Sequence, residues 1–325
     1  MTFTHEIRTL GPDEVITEPG FYSMPLDRHH SQPCDGVSVT SGIQRKMELE
    51  TPADVWAFHM LNPNRYPSEP SAALTLGSAM ACMVEGGEDE LRKHYMVLPV
   101  DKPNKPTAAQ IAKFNEGDPS EAGLKSIRFW ERIEADPRTE LTADQWKMIV
   151  DMGEVVRRDP AAAAALGGVP EITMAWKDEV NDLWCLARPD QVNFSGMLSD
   201  YKKVATQGRP FKHWICDQRI TQHGYDMQMA FAAEGFQRLT GEWPSQVGLV
   251  FQCDKPPYSV ILRALEDEDL NIGVFRNQRS RRLFRECLDS GNWWGPGVDI
   301  GSYQRPDSQR DRLIEEMNIA GVAAE

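Results

Sequence analysis

The sequence has no long hydrophobic run and no hydrophobic leader at its start. Its longest stretch without a polar residue runs from Ala161 to Val169, whereas a membrane-spanning helix needs about 20 apolar residues. The segment from Met1 to Leu10 carries charged residues and has no apolar centre, so we expect no secretory signal in it. These absences predict a cytoplasmic protein.

Paired cysteine motifs are also missing. The chain has six cysteines but no C-x-x-C spacing, which argues against a zinc ribbon, an iron-sulfur cluster and a disulfide framework. We expect reduced, mostly structural thiols at Cys34, Cys82, Cys185, Cys216, Cys253 and Cys287.

Positive charge is scarce, because 35 Lys and Arg residues stand against 49 Asp and Glu residues and the net charge is −14. This sign excludes a protein that coats nucleic acid nonspecifically. Two segments, 200–213 and 276–285, are nevertheless locally basic. They provide the predicted DNA contacts Lys203, Arg209, Lys212, Arg279 and Arg282. For the second segment, ion pairs within a surface helix are an equally good interpretation.

The chain divides by pattern into an arm (1–35), a central region (36–297) and a tail (298–325). Within the central region, 36–168 reads as mainly helical, and the pattern becomes strand-rich from 169 onward. We therefore predict a mixed α/β fold in which a central mixed sheet is flanked by helices, with a helical N-terminal half. The predicted helices are 41–48, 52–62, 74–85 ending at Gly86-Gly87, 107–116, 120–134, 142–157, 160–166, 220–240 and 266–289. The predicted strands are 20–24, then a meander of 171–176, 183–188, 191–194 and 197–203, and a pair at 246–252 and 258–264.

One constellation in the strand-rich part carries chemistry. Arg188-Pro189-Asp190 is separated by nine residues from Asp200-Tyr201-Lys202. Because alternate residues of a strand share a face, Asp200 and Lys202 project together, and a hairpin would bring Asp190 beside them. Converging carboxylates favour a hard divalent cation such as Mg²⁺ or Mn²⁺, which phosphodiester cleavage commonly uses. A neighbouring lysine can stabilise charge on the phosphate.

The acid-x-lysine triplet alone is weak support for a site. About two such triplets are expected by chance in a chain of this composition, and a solvated hairpin with ordinary surface charges explains the pattern as well. The surrounding motifs must decide between a catalytic site and a solvated surface hairpin.

Seven motifs in order resemble the exodeoxyribonuclease VIII nuclease domain of prophages, a member of the PD-(D/E)xK superfamily and a relative of the phage lambda exonuclease. The resemblance covers roughly residues 36 to 297. The motifs are Gly36-Val-Ser-Val-Thr-Ser, Leu76-Gly-Ser-Ala-Met-Ala-Cys82, Glu171-Ile-Thr-Met-Ala-Trp, Arg188-Pro-Asp190, Asp200-Tyr-Lys202, Tyr225-Asp-Met-Gln-Met-Ala-Phe231 and Ser290-Gly-Asn-Trp-Trp-Gly-Pro-Gly297.

The resemblance implies roles for individual residues. Asp190 and Asp200 are similar to the metal-binding acids, with the carbonyl of Tyr201 as a further ligand. Lys202 is similar to the catalytic lysine. The remaining implied catalytic positions are Gln228 with Tyr225, which help position the phosphate or its water, and Glu171, for which a surface acid at a strand end is an equally good interpretation.

The resemblance also implies an activity and partners. It indicates a Mg²⁺- or Mn²⁺-dependent 5′-to-3′ double-strand DNA exonuclease of a phage or prophage recombination system, working in the bacterial host cytoplasm. Such a protein acts on duplex DNA ends, can hand its product to a single-strand annealing protein, and forms a homo-oligomer of three or four subunits.

Ala81 departs from the pattern, because relatives have a histidine there that binds or neighbours the metal. Either carboxylates and water suffice, or another residue substitutes, or activity is weakened. Among nearby histidines, His29, His30 and His94 are each more typical of surface or loop positions. Two other functions stay open: a structure-specific or end-processing endonuclease, and a degenerate nuclease fold that binds DNA or protein without cutting.

Overall fold

The structure is a computed structural model, and it describes residues 6–67, 72–297 and 303–319. Parts of the predicted arm and tail therefore lie outside the described residues. The described helices are α1 Leu26–His30, α2 Ser41–Leu49, α3 Pro52–Phe58, α4 Ala72–His94, α5 Ala108–Asn115, α6 Glu121–Glu134, α7 Ala143–Arg158, α8 Pro160–Ala165, α9 His213–His223, α10 Tyr225–Thr240, α11 Asp267–Ser290 and α12 Asp307–Ile319. None of them is both long enough and apolar enough to cross a membrane.

The strands interleave with these helices and dominate the second half of the chain. They are β1 Ile7–Thr9, β2 Gly20–Ser23, β3 Ser38–Thr40, β4 Tyr95–Val97, β5 Thr139–Leu141, β6 Val169–Pro170, β7 Thr173–Asp178, β8 Leu183–Ala187, β9 Gln191–Asn193, β10 Met197–Val204, β11 Gln246–Cys253 and β12 Val260–Ala264.

Local chemistry sets several helix starts. Thr51, Thr107 and Thr142 each cap the next helix, α3, α5 and α7 respectively, and each forms a capping box with the residue three positions later. Two backbone donors at each start are satisfied in this way, so the predicted starts of these helices agree with the structure to within a residue.

The described strands form two mixed sheets of five strands and one pair. The first sheet has the order β1-β2-β7-β8-β3, the second has the order β12-β11-β10-β9-β6, and the pair is β4-β5. The predicted single meander over 171–203 is wrong, because β7 and β8 pair in the first sheet and β9 and β10 pair in the second. The chain crosses between the sheets at Arg188-Pro189-Asp190.

The predicted helix over 220–240 is two helices. Gly224 separates α9 from α10 and has a left-handed conformation (φ 62°, ψ 38°). A residue other than glycine would be strained in that conformation. The apolar periodicity of the sequence continues across Gly224 and so did not indicate the turn. The turn aims the first residues of α10 at β10.

The predicted helix end at Gly86-Gly87 agrees with the backbone. Gly87 is not helical (φ 70°, ψ −159°) and divides α4 into two helices, one on each side of it. Helices α4 and α7 pack together over a second core that includes Met80, Met83 and Met152. The glycine pair therefore ends the first helix, and the segment that follows to His94 is a second one.

The main core surrounds α10, which contacts strands of both five-stranded sheets. Gly235 permits the closest approach, since a Cβ there would lie 2.5 Å from the indole ring of Trp176. Arg281 of α11 is 2% exposed and pairs with Asp178 at 2.6 Å and Glu234 at 2.9 Å. These ion pairs connect α11 to the first sheet and to α10.

Candidate active site

The hairpin β9–β10 brings the two predicted metal-binding acids together. Its antiparallel register pairs Gln191 with Ser199, so Asp190 lies one residue beyond the paired segment, opposite Asp200. The Asp190 amide donates to Asp200 Oδ1 at 3.3 Å, and the Tyr201 amide donates to Asp190 Oδ2 at 2.7 Å. Each carboxylate therefore accepts a hydrogen bond from the backbone of the opposite arm of the hairpin.

Burial and mutual repulsion set the charges of this pair. Asp200 is 1% exposed, and Lys202 forms an ion pair with its Oδ2. Burial, followed by the charge of Asp200, raises the pKa of Asp190 to about 7. Burial alone would lower the pKa of Lys202, but the charges of Asp200 and Asp190 outweigh it and raise that pKa. The lysine therefore stays cationic beside the acids.

Helix α10 supplies two more of the predicted residues. Gln228 donates from Nε2 to Asp200 Oδ1 at 3.1 Å, while its buried Oε1 finds no hydrogen-bond partner among the described residues. Tyr225 lies under the lysine, with 4.6 Å between Lys202 Nζ and the centroid of the ring. The helix break at Gly224 thus places the Gln228 amide beside Asp200 and the Tyr225 ring beside Lys202, both of which lie on β10.

Glu171 reaches the site from the segment before β7. Its carboxylate accepts from Arg188 at 2.5 Å, and its amide donates to the carbonyl of Asp190 at 3.0 Å. Its φ is 52°, an uncommon backbone conformation for a non-glycine residue and one often found at functional sites. Glu171 is therefore next to Asp190, but one of its oxygens is already engaged by an arginine.

A small cavity lies between Asp190 and α4. Its volume is about 20 Å³, enough for one water molecule. The residues around it include Ala81, Glu85, Glu171, Asp190, Gln191 and Tyr201. Ala81, the position where the resemblance implies a histidine, therefore borders the same cavity as Asp190 and contributes only a methyl group.

The pattern of the sequence did not indicate Arg45, which the fold places beside the site. This α2 residue donates from Nη1 to the carbonyl of His223 at 3.1 Å, and its guanidinium carbon is 5.8 Å from the ring centroid of Tyr225. Burial lowers its pKa, and Asp200 is the first of the charges that oppose the shift. Its buried Nε lacks a partner in the described part of the chain. No local motif marks Arg45, because only tertiary packing of α2 brings it there.

A second unpredicted contact holds strand β10 in place. The Tyr201 hydroxyl donates to Gln252 Oε1 at 2.7 Å, and Gln252 donates onward to the carbonyls of Met152 and Tyr258, each at 3.0 Å. Tyr201 therefore points away from Asp200 and Lys202, as alternation along a strand requires.

The predicted DNA contacts lie in two different environments. Lys212 and Arg209 are exposed around the start of α9, and Lys203 is half-buried on β10. On α11, Arg279 pairs with Glu48 while Arg282 is exposed. Contact of these side chains with DNA remains a prediction, and for Arg279 it competes with an internal ion pair.

None of the three nearby histidines forms a hydrogen bond or ion pair with Asp190 or Asp200 among the described residues. His94 is exposed and contacts Glu90 at 3.2 Å, whereas His29 is buried against Thr173 at 3.0 Å and is not a surface residue. Within residues 6–67, 72–297 and 303–319 no group of three or more His, Cys, Asp or Glu side chains converges closely enough to form a metal cluster. The donor set at Asp190 and Asp200 is all oxygen and fits a hard cation better than a soft one.

A family model described as a PDDEXK-like domain of unknown function (DUF3799) matches residues 44–293. The chain belongs to this family. The matched segment contains Arg45, the acid hairpin and Gln228, so the whole constellation lies inside the family domain. Membership of the PD-(D/E)xK superfamily and the predicted mixed α/β fold class are confirmed.

Two solved structures are similar to this family member. One, from Eubacterium rectale and named provisionally as an exonuclease, has 16% sequence identity and a TM-score of 0.57, and the match covers 89% of this chain and 98% of that chain. This likeness shows the fold. The other, a phage-related exonuclease from Haemophilus somnus 129PT, has 11% identity and a TM-score of 0.30, with 59% and 92% covered. No curated protein matches the chain.

Proposed function

We propose that the protein is a metal-dependent deoxyribonuclease that hydrolyses phosphodiester bonds at the Asp190–Asp200 pair. The observation that carries this proposal is the convergence of two carboxylates, Lys202 and Gln228 within a PDDEXK-like fold. In a surface hairpin with unrelated charges, Asp200 would not be only 1% exposed. Nor would it lie beside the Gln228 amide, whose buried oxygen has no hydrogen-bond partner among the described residues.

The residues divide the chemical work among them. Asp190, Asp200 and the carbonyl of Tyr201 would hold Mg²⁺ or Mn²⁺, which when bound lowers the pKa of a water and offsets charge on the phosphate. Lys202 stabilises the negative charge that develops on the phosphate oxygens. Gln228 has its amide fixed by Asp200, so its Oε1 can accept a hydrogen bond from the attacking water.

Arg45 gives the site a contact for the substrate phosphate. Its side chain is tethered to the carbonyl of His223 but keeps an unpaired Nε near Tyr225. An arginine can donate from two nitrogens to two oxygens of one phosphate group. Arg45 therefore suits recognition of a phosphate next to the cation, and this location is consistent with DNA as the substrate class.

The finer assignment rests on the resemblance. We propose a 5′-to-3′ exonuclease acting on duplex DNA ends, in a phage or prophage recombination system with a single-strand annealing partner and a trimeric or tetrameric assembly. A closed circular duplex separates this activity from an endonuclease, because an exonuclease leaves the circle intact.

The activity test compares linear duplex digestion by the parent protein and by Asp200→Asn and Lys202→Met, with and without a chelator. We expect the parent to digest DNA only with Mg²⁺ or Mn²⁺, Asp200→Asn to be inactive, and Lys202→Met to be slower by about 10²–10³-fold, as when one charge-stabilising donor is lost. Asp118→Asn and Lys113→Met, at exposed positions outside the site, should match the parent.

A catalytically inactive binding module is the second candidate, favoured by the methyl group at Ala81 and by the net charge of −14. Equal digestion by the parent and both site variants would refute the assigned site. DNA binding by the parent without digestion in either metal would favour the binding module.

A further inference from the structure

A tryptophan at the start of α9 is exposed. Trp214 is 48% exposed and is the most exposed of the nine tryptophans, all of which lie among the described residues. Burial of so large a ring is favourable, so an indole kept at the surface is typical of a contact with another molecule. Arg209 lies over the ring, with 5.8 Å between its guanidinium carbon and the ring centroid. An indole has two faces and Arg209 covers only one, so the ring can still stack on a flat partner.

The ring borders an open groove on the surface. The groove has a volume of about 640 Å³, which is in the range of small-ligand sites and has room for a nucleoside unit. The residues that line it are Phe211, Lys212, His213, Trp214, Asp217 and Ile261. The groove therefore combines aromatic and apolar surface with side chains that can contact a charged ligand.

The charges around the groove favour an anionic partner. Lys212 is exposed and forms no ion pair with any residue that the structure describes. Arg209 donates to the uncharged Gln218 at 3.2 Å. The one acid among the described lining residues, Asp217, is paired with Arg263 at 2.7 Å. On a chain with a net charge of −14, this groove is a local basic exception.

Helix α9 connects the groove to the candidate active site. Trp214 is its second residue, and His223 is its last, with 5.3 Å between the ring centroids of His223 and Tyr225. The helix covers about 13 Å from Trp214 to His223 at 1.5 Å per residue. This length corresponds to about four nucleotides at the spacing of 3.4 Å along one strand of a duplex. A DNA strand bound at the acids can therefore reach Trp214 within a few nucleotides.

We propose that this groove binds unpaired bases of the DNA substrate, with Trp214 stacking on a base and Lys212 contacting the adjoining phosphates. This inference rests on the proposed function, because it names a part of the DNA that the nuclease holds away from the cut. Stacking selects single-stranded DNA, since neighbouring bases cover the faces of each base within a duplex. Every base has a face on which a ring can stack, so we expect no sequence preference.

The test measures binding of the full-length protein in chelator to two labelled strands, each of about 10 nucleotides. One strand is oligothymidylate, and the other consists of abasic sites and keeps the same phosphates. Trp214→Ala should bind oligothymidylate about 5–100-fold more weakly than the parent, the loss expected for one stacked base. It should bind the abasic strand as the parent does, which also shows that the variant is folded. Trp214→Phe should recover most of the affinity, and Lys212→Ala should weaken binding to both strands.

The matched control is Tyr303→Ala. It removes a ring that is 78% exposed and also lies near an arginine, with 5.7 Å from the guanidinium carbon of Arg305 to the ring centroid, but that does not line the groove. This variant should bind both strands like the parent.

Equal affinities of Trp214→Ala and the parent for oligothymidylate would overturn the stacking assignment. A change in the mass of Trp214→Ala in solution would also overturn it, because the ring would then lie between copies of the chain. Neither result would affect the proposed function, which the digestion of linear duplex by the parent and Asp200→Asn tests separately.

Discussion

Asp190 is subject to two opposing requirements. As a cation ligand it must be ionised, yet burial and the nearby Asp200 charge raise its pKa to about 7. Without metal, the charge of Lys202 and the hydrogen bond from the Tyr201 amide stabilise its carboxylate, but together they do not offset burial and the repulsion of Asp200. The residue most directly suited to binding a cation is thus a source of instability in the metal-free protein.

This conflict predicts a pH-dependent gain from Asp190→Asn. A carboxyl whose folded pKa lies above its unfolded value of about 3.9 contributes stability that is fully present below pH 4 and is lost as the pH rises through about 7. Asparagine does not titrate, so in chelator the variant should be more stable than the parent at pH 8 by up to about 4 kcal/mol, with a much smaller difference at pH 4.5. Urea denaturation at both pH values measures it.

The matched control is Asp118→Asn, whose carboxylate is exposed on a loop. It should show no pH-dependent difference from the parent. Equal stabilities of parent and Asp190→Asn at pH 8 would show that the Asp190 carboxylate is not destabilised in the fold.

At the scale of elements, α10 determines where the site forms. It begins at the Gly224 break with Tyr225 and Gln228 facing β10, and farther along it packs on β7 through Gly235. Arg281 of α11 forms an ion pair with Glu234 of α10. A shift of α10 against the sheets would therefore move the amide that contacts Asp200.

Gly235→Ala tests this packing. The added methyl group would lie 2.5 Å from the Trp176 ring, a distance that forces the helix or the indole to move. Overpacking of this kind costs about 1–3 kcal/mol, which exceeds the gain of about 1 kcal/mol expected from replacing glycine in a helix. Thermal unfolding should show a lower melting temperature than for the parent.

Gly77→Ala provides the comparison, because no described atom lies within 4 Å of a methyl group added there on α4. It should raise the melting temperature slightly. A stabilised Gly235→Ala would mean that α10 does not rest on Trp176 as closely as described.

The sequence predicted most elements because helix capping and apolar periodicity are local. It also predicted the acid hairpin, since strand alternation fixes which side Asp200 and Lys202 share. It could not separate the hairpin β7–β8 from β9–β10, because the four strands follow one another with short connections and only long-range pairing distinguishes the two sheets. Arg45 was missed for a similar reason: it lies far from the hairpin in sequence, and its role depends on how α2 packs.

The whole molecule is acidic, with a net charge of −14, and its predicted DNA contacts are confined to the segments 200–213 and 276–285. Lys212 and Arg282 are exposed, whereas Arg279 and Arg276 already pair with Glu48. Binding to DNA should therefore involve few phosphates, and the remaining surface should repel the duplex.

This charge distribution predicts how salt affects DNA binding. Lys212→Ala should weaken binding to all duplex sequences and reduce the slope of log affinity against log salt by about 1, as expected for the loss of one phosphate contact. Fluorescence anisotropy in chelator measures binding without cleavage. Lys113→Ala removes an exposed cation of α5 and should leave the slope unchanged. Identical slopes for the parent and Lys212→Ala would exclude this lysine from the interface.

The crossing at Arg188-Pro189-Asp190 has a consequence for inactivation. Asp190 directly precedes β9, which pairs with β10 in the same sheet, so the hairpin register holds the two carboxylates together whatever the contact between the two sheets. Gentle heating or dilute denaturant that loosens the contact between the sheets would therefore leave the acids paired as long as the hairpin survives. Loss of cation affinity should then accompany the loss of circular dichroism and not precede it.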